Sequence, residues 1–115
     1  MSEAAGPDAE QRALNLLGIA LRGGRLEVGT NAVKEGARRG KLAAAVLAAD
    51  AGENARDRVL PLLEATGVPV AEAADGDALG RALGRDRTVI VGVTDEGLAG
   101  EVMDALAGDG DADGS

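Results

Sequence analysis

An α/β fold, with helices layered on a sheet, is what this sequence predicts. Segments of helical periodicity alternate along the chain with short apolar runs of strand length. Glycines and capping residues fall at the junctions between them. The length of 115 residues suits one domain with a core of its own.

Residues 1–11 carry Glu3, Asp8 and Glu10 without apolar periodicity, and read as a disordered acidic tail ahead of a domain spanning 12–106. Leu14, Leu17, Ile19 and Leu21 predict a first helix from Arg12 to Arg22, stopped by Gly23-Gly24. Arg25–Val28 is a short strand. Gly29-Thr30-Asn31 opens the next helix, with Thr30 as N-cap, and Gly40 ends it after Arg39 in a left-handed cap. The apolar run Leu42–Ala49 predicts a buried strand, and Asp50–Asn54 a turn. A helix over Ala55–Ala65 contains Pro61, which implies a kink or a later start. After Gly67, Val68-Pro69-Val70 begins a strand at a sheet edge, where proline is tolerated. Gly76–Leu83 is a short helix closed by Gly84, and Thr88–Val93 is the clearest strand. Thr94 caps the last helix, to Leu106, with Asp95 and Glu96 complementing its dipole. Residues 107–115 read as a second disordered acidic tail.

Composition removes several function classes. Without Cys or His there is no disulfide, thiolate, triad or ordinary zinc chemistry. Without Phe, Tyr or Trp no ring can stack on a base, and the core must be built from 24 Ala, 14 Leu, 10 Val, two Ile and two Met. No apolar run reaches membrane-spanning length and the first residues are acidic and polar, so neither a signal peptide nor an anchor is expected, and the location expected is cytoplasmic.

The net charge of −8 is unevenly spread. Residues 12–41 hold seven basic side chains (Arg12, Arg22, Arg25, Lys34, Arg38, Arg39, Lys41) against Glu27 and Glu35. Such a local basic segment points to a polyanion or to a solvated helix face. Asp109, Asp111, Asp113 and Gly114 have the opening spacing of a calcium loop, but the bidentate Glu it requires is absent, which favours a solubilising tail. No phosphate-cradling glycine motif is present. The stretch Val28–Lys41 combines a helix N-terminus with Asn31, Lys34 and Arg38 at spacings of three and four, on one face, flanked by Arg39 and Lys41. That platform suits RNA backbone and exposed base edges, and equally fits a capped surface helix.

The blocks LLGIALRGGRLEVGTNAVKEGARRGK, VLAADAGENARDR, VPV and LGRALGRDRTVIVGVTDEGLA, in this order, resemble the bacterial YlxQ-type members of the kink-turn RNA-binding ribosomal protein superfamily, that of the large-subunit proteins seven-Ae and thirty-e. The resemblance covers Arg12 to Leu106. It implies a three-layer α-β-α sandwich with a four-stranded mixed sheet. It also implies a non-catalytic protein whose second helix grips sheared G·A pairs through Asn-Glu-x-x-Lys after Gly-Thr. Gly29, Thr30 and Asn31 match, but Ala32 stands at the Glu position and Glu35 at the Lys position. Lys34 lies next door, about 100° around the helix. Losing that charge-assisted contact should cost ~1.5–3 kcal/mol of binding. A second RNA-facing loop of the family falls here on Gly84–Thr88, with Arg85, Arg87 and Thr88.

Two functions remain open on the sequence. One is binding of structured, kink-turn-like RNA of the ribosome or of the transcription–translation machinery, through Gly29, Thr30, Asn31, Lys34, Arg38, Arg39, Lys41, Arg85, Arg87 and Thr88. The other is a protein-interaction module that kept the fold and meets a ribosomal or transcription protein. Neither reading calls for a cofactor, metal, membrane or DNA.

Overall fold

The computed structural model describes residues 7–107. Its elements run α1 (Pro7–Arg22), β1 (Leu26–Val28), α2 (Thr30–Arg38), β2 (Ala44–Leu47), α3 (Glu53–Ala65), β3 (Val70–Glu72), α4 (Gly76–Ala82), β4 (Ile90–Val93) and α5 (Glu96–Ala107). The strands lie in the order β1-β4-β2-β3. β4 is antiparallel to both its neighbours, while β2 and β3, joined through α3, are parallel.

Side chains alternate across a strand, and that alternation sorts the core into two layers. Ala44, Val46, Val91 and Val93 pack with Leu14, Leu17, Leu79 and Val102 of α1, α4 and α5 on one face. Ala45, Leu47 and Ile90 pack with Val33, Val59 and Leu63 of α2 and α3 on the other. The fold is therefore the expected three-layer α-β-α sandwich around a four-stranded mixed sheet. Small residues let the layers approach without aromatic filling. Leu42 occupies space left by two missing side chains: a Cβ on Gly36 of α2 would lie 2.9 Å from its Cδ2, and one on Gly92 of β4 2.8 Å.

Several boundaries differ from the sequence expectation, each for a local reason. α1 begins at Pro7, so residues 7–11, read as tail, are helical. Proline loses no helical bond in a first turn, Asp8 and Glu10 complement the dipole, and Glu10 Oε2 accepts the Ala74 N–H at 2.7 Å. The remaining tail residues, 1–6 and 108–115 with the aspartate-rich spacing, lie outside the described residues. α3 starts at Glu53, two residues early, and continues through Pro61, whose ring is exposed. β3 takes the edge as expected but starts at Val70, and Pro69 just before it serves as acceptor, from the Ala45 N–H at 2.9 Å. The cap of α5 is Asp95 rather than Thr94. Asp95 Oδ2 accepts the Leu98 N–H at 2.8 Å, while the Thr94 N–H still bonds across the sheet end to Arg25 O at 3.0 Å. Among the described residues no helix is long and apolar enough to cross a membrane.

Candidate nucleic-acid interface

A single residue turns the chain from β1 into α2. Gly29 does so at φ 97° and ψ 163°, a conformation open in practice only to glycine. Gly29 is consequently the N-cap and Thr30 the first helical residue, where the sequence suggested Thr30 as cap; no side chain caps the helix. The Gly29 N–H donates to Ile90 O at 2.9 Å, fastening the start of α2 to the first residue of β4. Val33 is the first residue to bond back, to Gly29 O at 3.0 Å. The N–H groups of Thr30, Asn31 and Ala32 thus have no helical acceptor and sit at the positive end of the dipole.

The loop between α4 and β4 is held down by two glycines one helical turn apart. The Arg85 N–H donates to Gly80 O at 2.9 Å, and a Cβ on Gly80 would run into the Asp86 carbonyl, so the loop backbone rests directly on α4. Gly76 O accepts the Thr88 N–H at 3.0 Å, and a Cβ on Gly76 would meet Arg87 Nη1 at 2.8 Å. Arg87 Nη1 donates to Asp50 Oδ2 at 3.0 Å, while Asp50 Oδ1 accepts the Gly76 N–H at 2.9 Å. The Arg87 hydrogen bond first, and the Gly76 N–H second, hold the Asp50 carboxyl below the usual carboxylate range. Asp50 in turn holds the Arg87 guanidinium above its already high value. Thr88 is buried, and its hydroxyl donates to Asp86 O at 3.0 Å.

These two pieces of chain face each other. Val28, Gly29 and Thr30 form one wall, and Arg85 to Val89 the other, of a cleft of about 460 Å³. Of the residues singled out from the sequence, Gly29, Thr30, Arg85, Arg87 and Thr88 are brought together here. Asn31 is exposed in the first turn of α2 and Lys34 half-buried in the next, both outside the cleft lining. Arg38 lies near the far end of α2, about 12 Å along its axis from Thr30, with Arg39 and Lys41 beyond it. Glu35 intercepts two of these cations: its Oε2 lies 2.7 Å from Arg39 Nε and its Oε1 3.9 Å from Arg38 Nη1. Among the described residues Lys34, Lys41 and Arg85 form no ion pair. The residues read from spacing thus fall in two regions, those at the cleft at one end of α2 and a basic cluster at the other, in which Arg38 and Arg39 pair with Glu35.

Asp50, Gly76 and Gly80 were not singled out from the sequence, although they shape the second wall. The four-residue spacing of the two glycines, which puts them on one face of α4, was the available signal. Asp50 falls in the block VLAADAGENARDR that carries the resemblance, where it reads as a turn residue with no sign of its partners Gly76 and Arg87. The described residues hold no cluster of groups arranged for a metal ion.

Several known proteins are similar to this chain. The profile of the Ribosomal protein L7Ae/L30e/S12e/Gadd45 family matches residues 11–103. The chain is 30% identical over 91 residues to the RNA-binding protein YlxQ of Bacillus subtilis (strain 168), covering 79% of this chain and 91% of that protein. A solved structure of a Bacillus halodurans protein of unknown function matches with a TM-score of 0.77 at 29% identity, over 82% of this chain and 95% of that one. The Giardia lamblia 15.5kD RNA binding protein shares the fold, with a TM-score of 0.74 at 24% identity over 89% and 88% of the two chains. With the family match spanning residues 11–103, most of the sequence, the chain belongs to the Ribosomal protein L7Ae/L30e/S12e/Gadd45 family.

Proposed function

We propose that this protein is a non-catalytic binder of structured, kink-turn-like RNA, which it takes at the cleft between the start of α2 and loop 84–88. The observation that carries this reading is the convergence of those two segments on one cleft. The amides of Thr30, Asn31 and Ala32 suit a phosphate or a base edge, and the Asn31 side chain both donates and accepts. Arg85 supplies a cation from the opposite wall, and Lys34 a second one along α2. Arg38, Arg39 and Lys41 serve as outer contacts to flanking backbone. The RNA-binding name of the Bacillus subtilis relative supports the reading. In this role the protein works in the cytoplasm with the ribosome or the transcription–translation machinery, through the domain expected over 12–106 together with the opening turn of α1.

A second reading, a protein-interaction module with weak RNA affinity, is favoured by one observation: Glu35 neutralises part of the basic cluster of a chain whose net charge is −8.

The test is titration of the protein into a dye-labelled kink-turn RNA with magnesium, beside a control whose tandem G·A pairs are replaced by Watson–Crick pairs. The label belongs on the RNA because the protein has no aromatic side chain. Preference for the kinked RNA, falling with salt, is the expected result. Equal binding of both RNAs would remove the kink-turn specificity, and no binding at low salt would favour the protein-interaction reading.

A further inference from the structure

Asp50 stands outside the cleft lining, yet three separate segments meet on it. It follows β2 in the turn before α3. The adjacent Ala49 N–H bonds to Ala74 O at 2.8 Å, and the Ala74 N–H bonds to Glu10 Oε2 at 2.7 Å. Ala74 takes φ 55°, a left-handed conformation unusual for alanine, so segment 74–76 is held in place from both sides. Asp50 then links this anchored segment to the loop: one carboxylate oxygen takes the Gly76 N–H, the other the Arg87 guanidinium. The Asp50 carbonyl lies 3.5 Å from Arg87 Nη2.

We propose that Asp50 is a positioning residue of the RNA site, gripping Gly76 and Arg87 together and thereby fixing the loop wall of the cleft. The proposal rests on the RNA-binding reading and deepens it. Its consequence is a sign that charge alone does not give. Removing an acid near a polyanion site on an acidic protein should strengthen binding. Asp86 illustrates that case: it lines the cleft, and among the described residues its carboxylate makes no hydrogen bond. For Asp50 the order of the loop outweighs the charge.

The experiment measures affinity for the dye-labelled kink-turn RNA together with amide exchange at Thr88, whose N–H is donated to Gly76 O. Asp50→Ala should weaken RNA binding about tenfold and speed Thr88 exchange. Asp86→Ala should strengthen binding and leave that exchange unchanged. In an Arg87→Ala background, where the side-chain link from Asp50 to the loop is already broken, Asp50→Ala should weaken binding no further. Should the alanine variant fail to fold, Asp50→Asn is isosteric, keeps an acceptor for Gly76 and releases the guanidinium, and the same sign is expected. Stronger RNA binding by Asp50→Ala, with Thr88 protection retained, would overturn the proposal. A wild-type protein without RNA affinity would overturn the RNA reading instead; Thr88 exchange, measured without ligand, then decides by itself whether Asp50 holds the loop.

Discussion

At its first turn α2 is tied to β4 through Gly29 and faces a loop pinned by Gly76, Gly80 and Asp50. At its far end the same helix presents Arg38 and the C-cap residue Arg39, both more than half exposed and paired with Glu35 one turn back. The first end sets its charges, Arg85, Asp86 and Arg87, on a backbone held by Gly76 and Gly80; the second carries its charges on exposed side chains of a single helix end. Exposed ion pairs of the second kind contribute only ~0–1 kcal/mol and rearrange freely. Helix amides and clamped loops keep their directions, which is what recognition of a particular RNA shape requires. What separates the two ends is therefore the backbone beneath the charges and not their number.

The comparison can be broken most severely at Gly80. Gly80→Ala drives a methyl group into the Asp86 carbonyl, and backbone cannot step aside as a flexible side chain can. A loss of stability at or beyond the upper end of ~1–3 kcal/mol is expected, measured by denaturant unfolding. Next in size is the contrast between two single cations. Arg85→Ala should reduce RNA affinity about tenfold and flatten the salt slope by roughly one phosphate contact, whereas Arg39→Ala should cost less than about threefold. Affinities measured across a salt series test both, and equal effects would erase the distinction between the two ends of α2. Glu35→Gln sharpens it from the other side: freeing two arginines should raise affinity by about threefold or less. The smallest effect is one of pH. Because the folded-state Asp50 carboxyl is held below its ordinary value, its contribution is complete above the normal carboxylate range and is lost as pH falls through the depressed value. Thr88 protection should therefore stay level from neutral pH down to about pH 4 and decline only below it.

The order of elements was legible because it depends on local pattern. β4 shows within the run Thr88–Val93, β-branched but for Gly92, and α2 as a segment between Gly29 and Gly40. Helix starts were less legible, since they turn on which residue tolerates the required backbone. Gly29 takes a φ that Thr30 does not, and Asp95 caps α5 because Thr94 is still engaged with Arg25. The α2 wall of the cleft and the arginines of the loop could be picked out as residues. The clamp could not, since Asp50, Gly76 and Arg87 come from three separate stretches and each looks ordinary in its own. The pairing of Arg39 with Glu35, by contrast, follows a spacing of four that the sequence displays openly.

The hydrogen bond from the Gly29 amide to Ile90 has one more consequence. Both walls of the cleft hang from the beginning of β4, one through that bond and the other through the peptide chain itself. They are set like the jaws of a caliper on one beam, the strand that both are fastened to. In the proposed role the deformation on binding falls on the nucleic acid. Magnesium or any other agent that bends the RNA beforehand should then speed association, while the protein presents the same gauge to every RNA it meets.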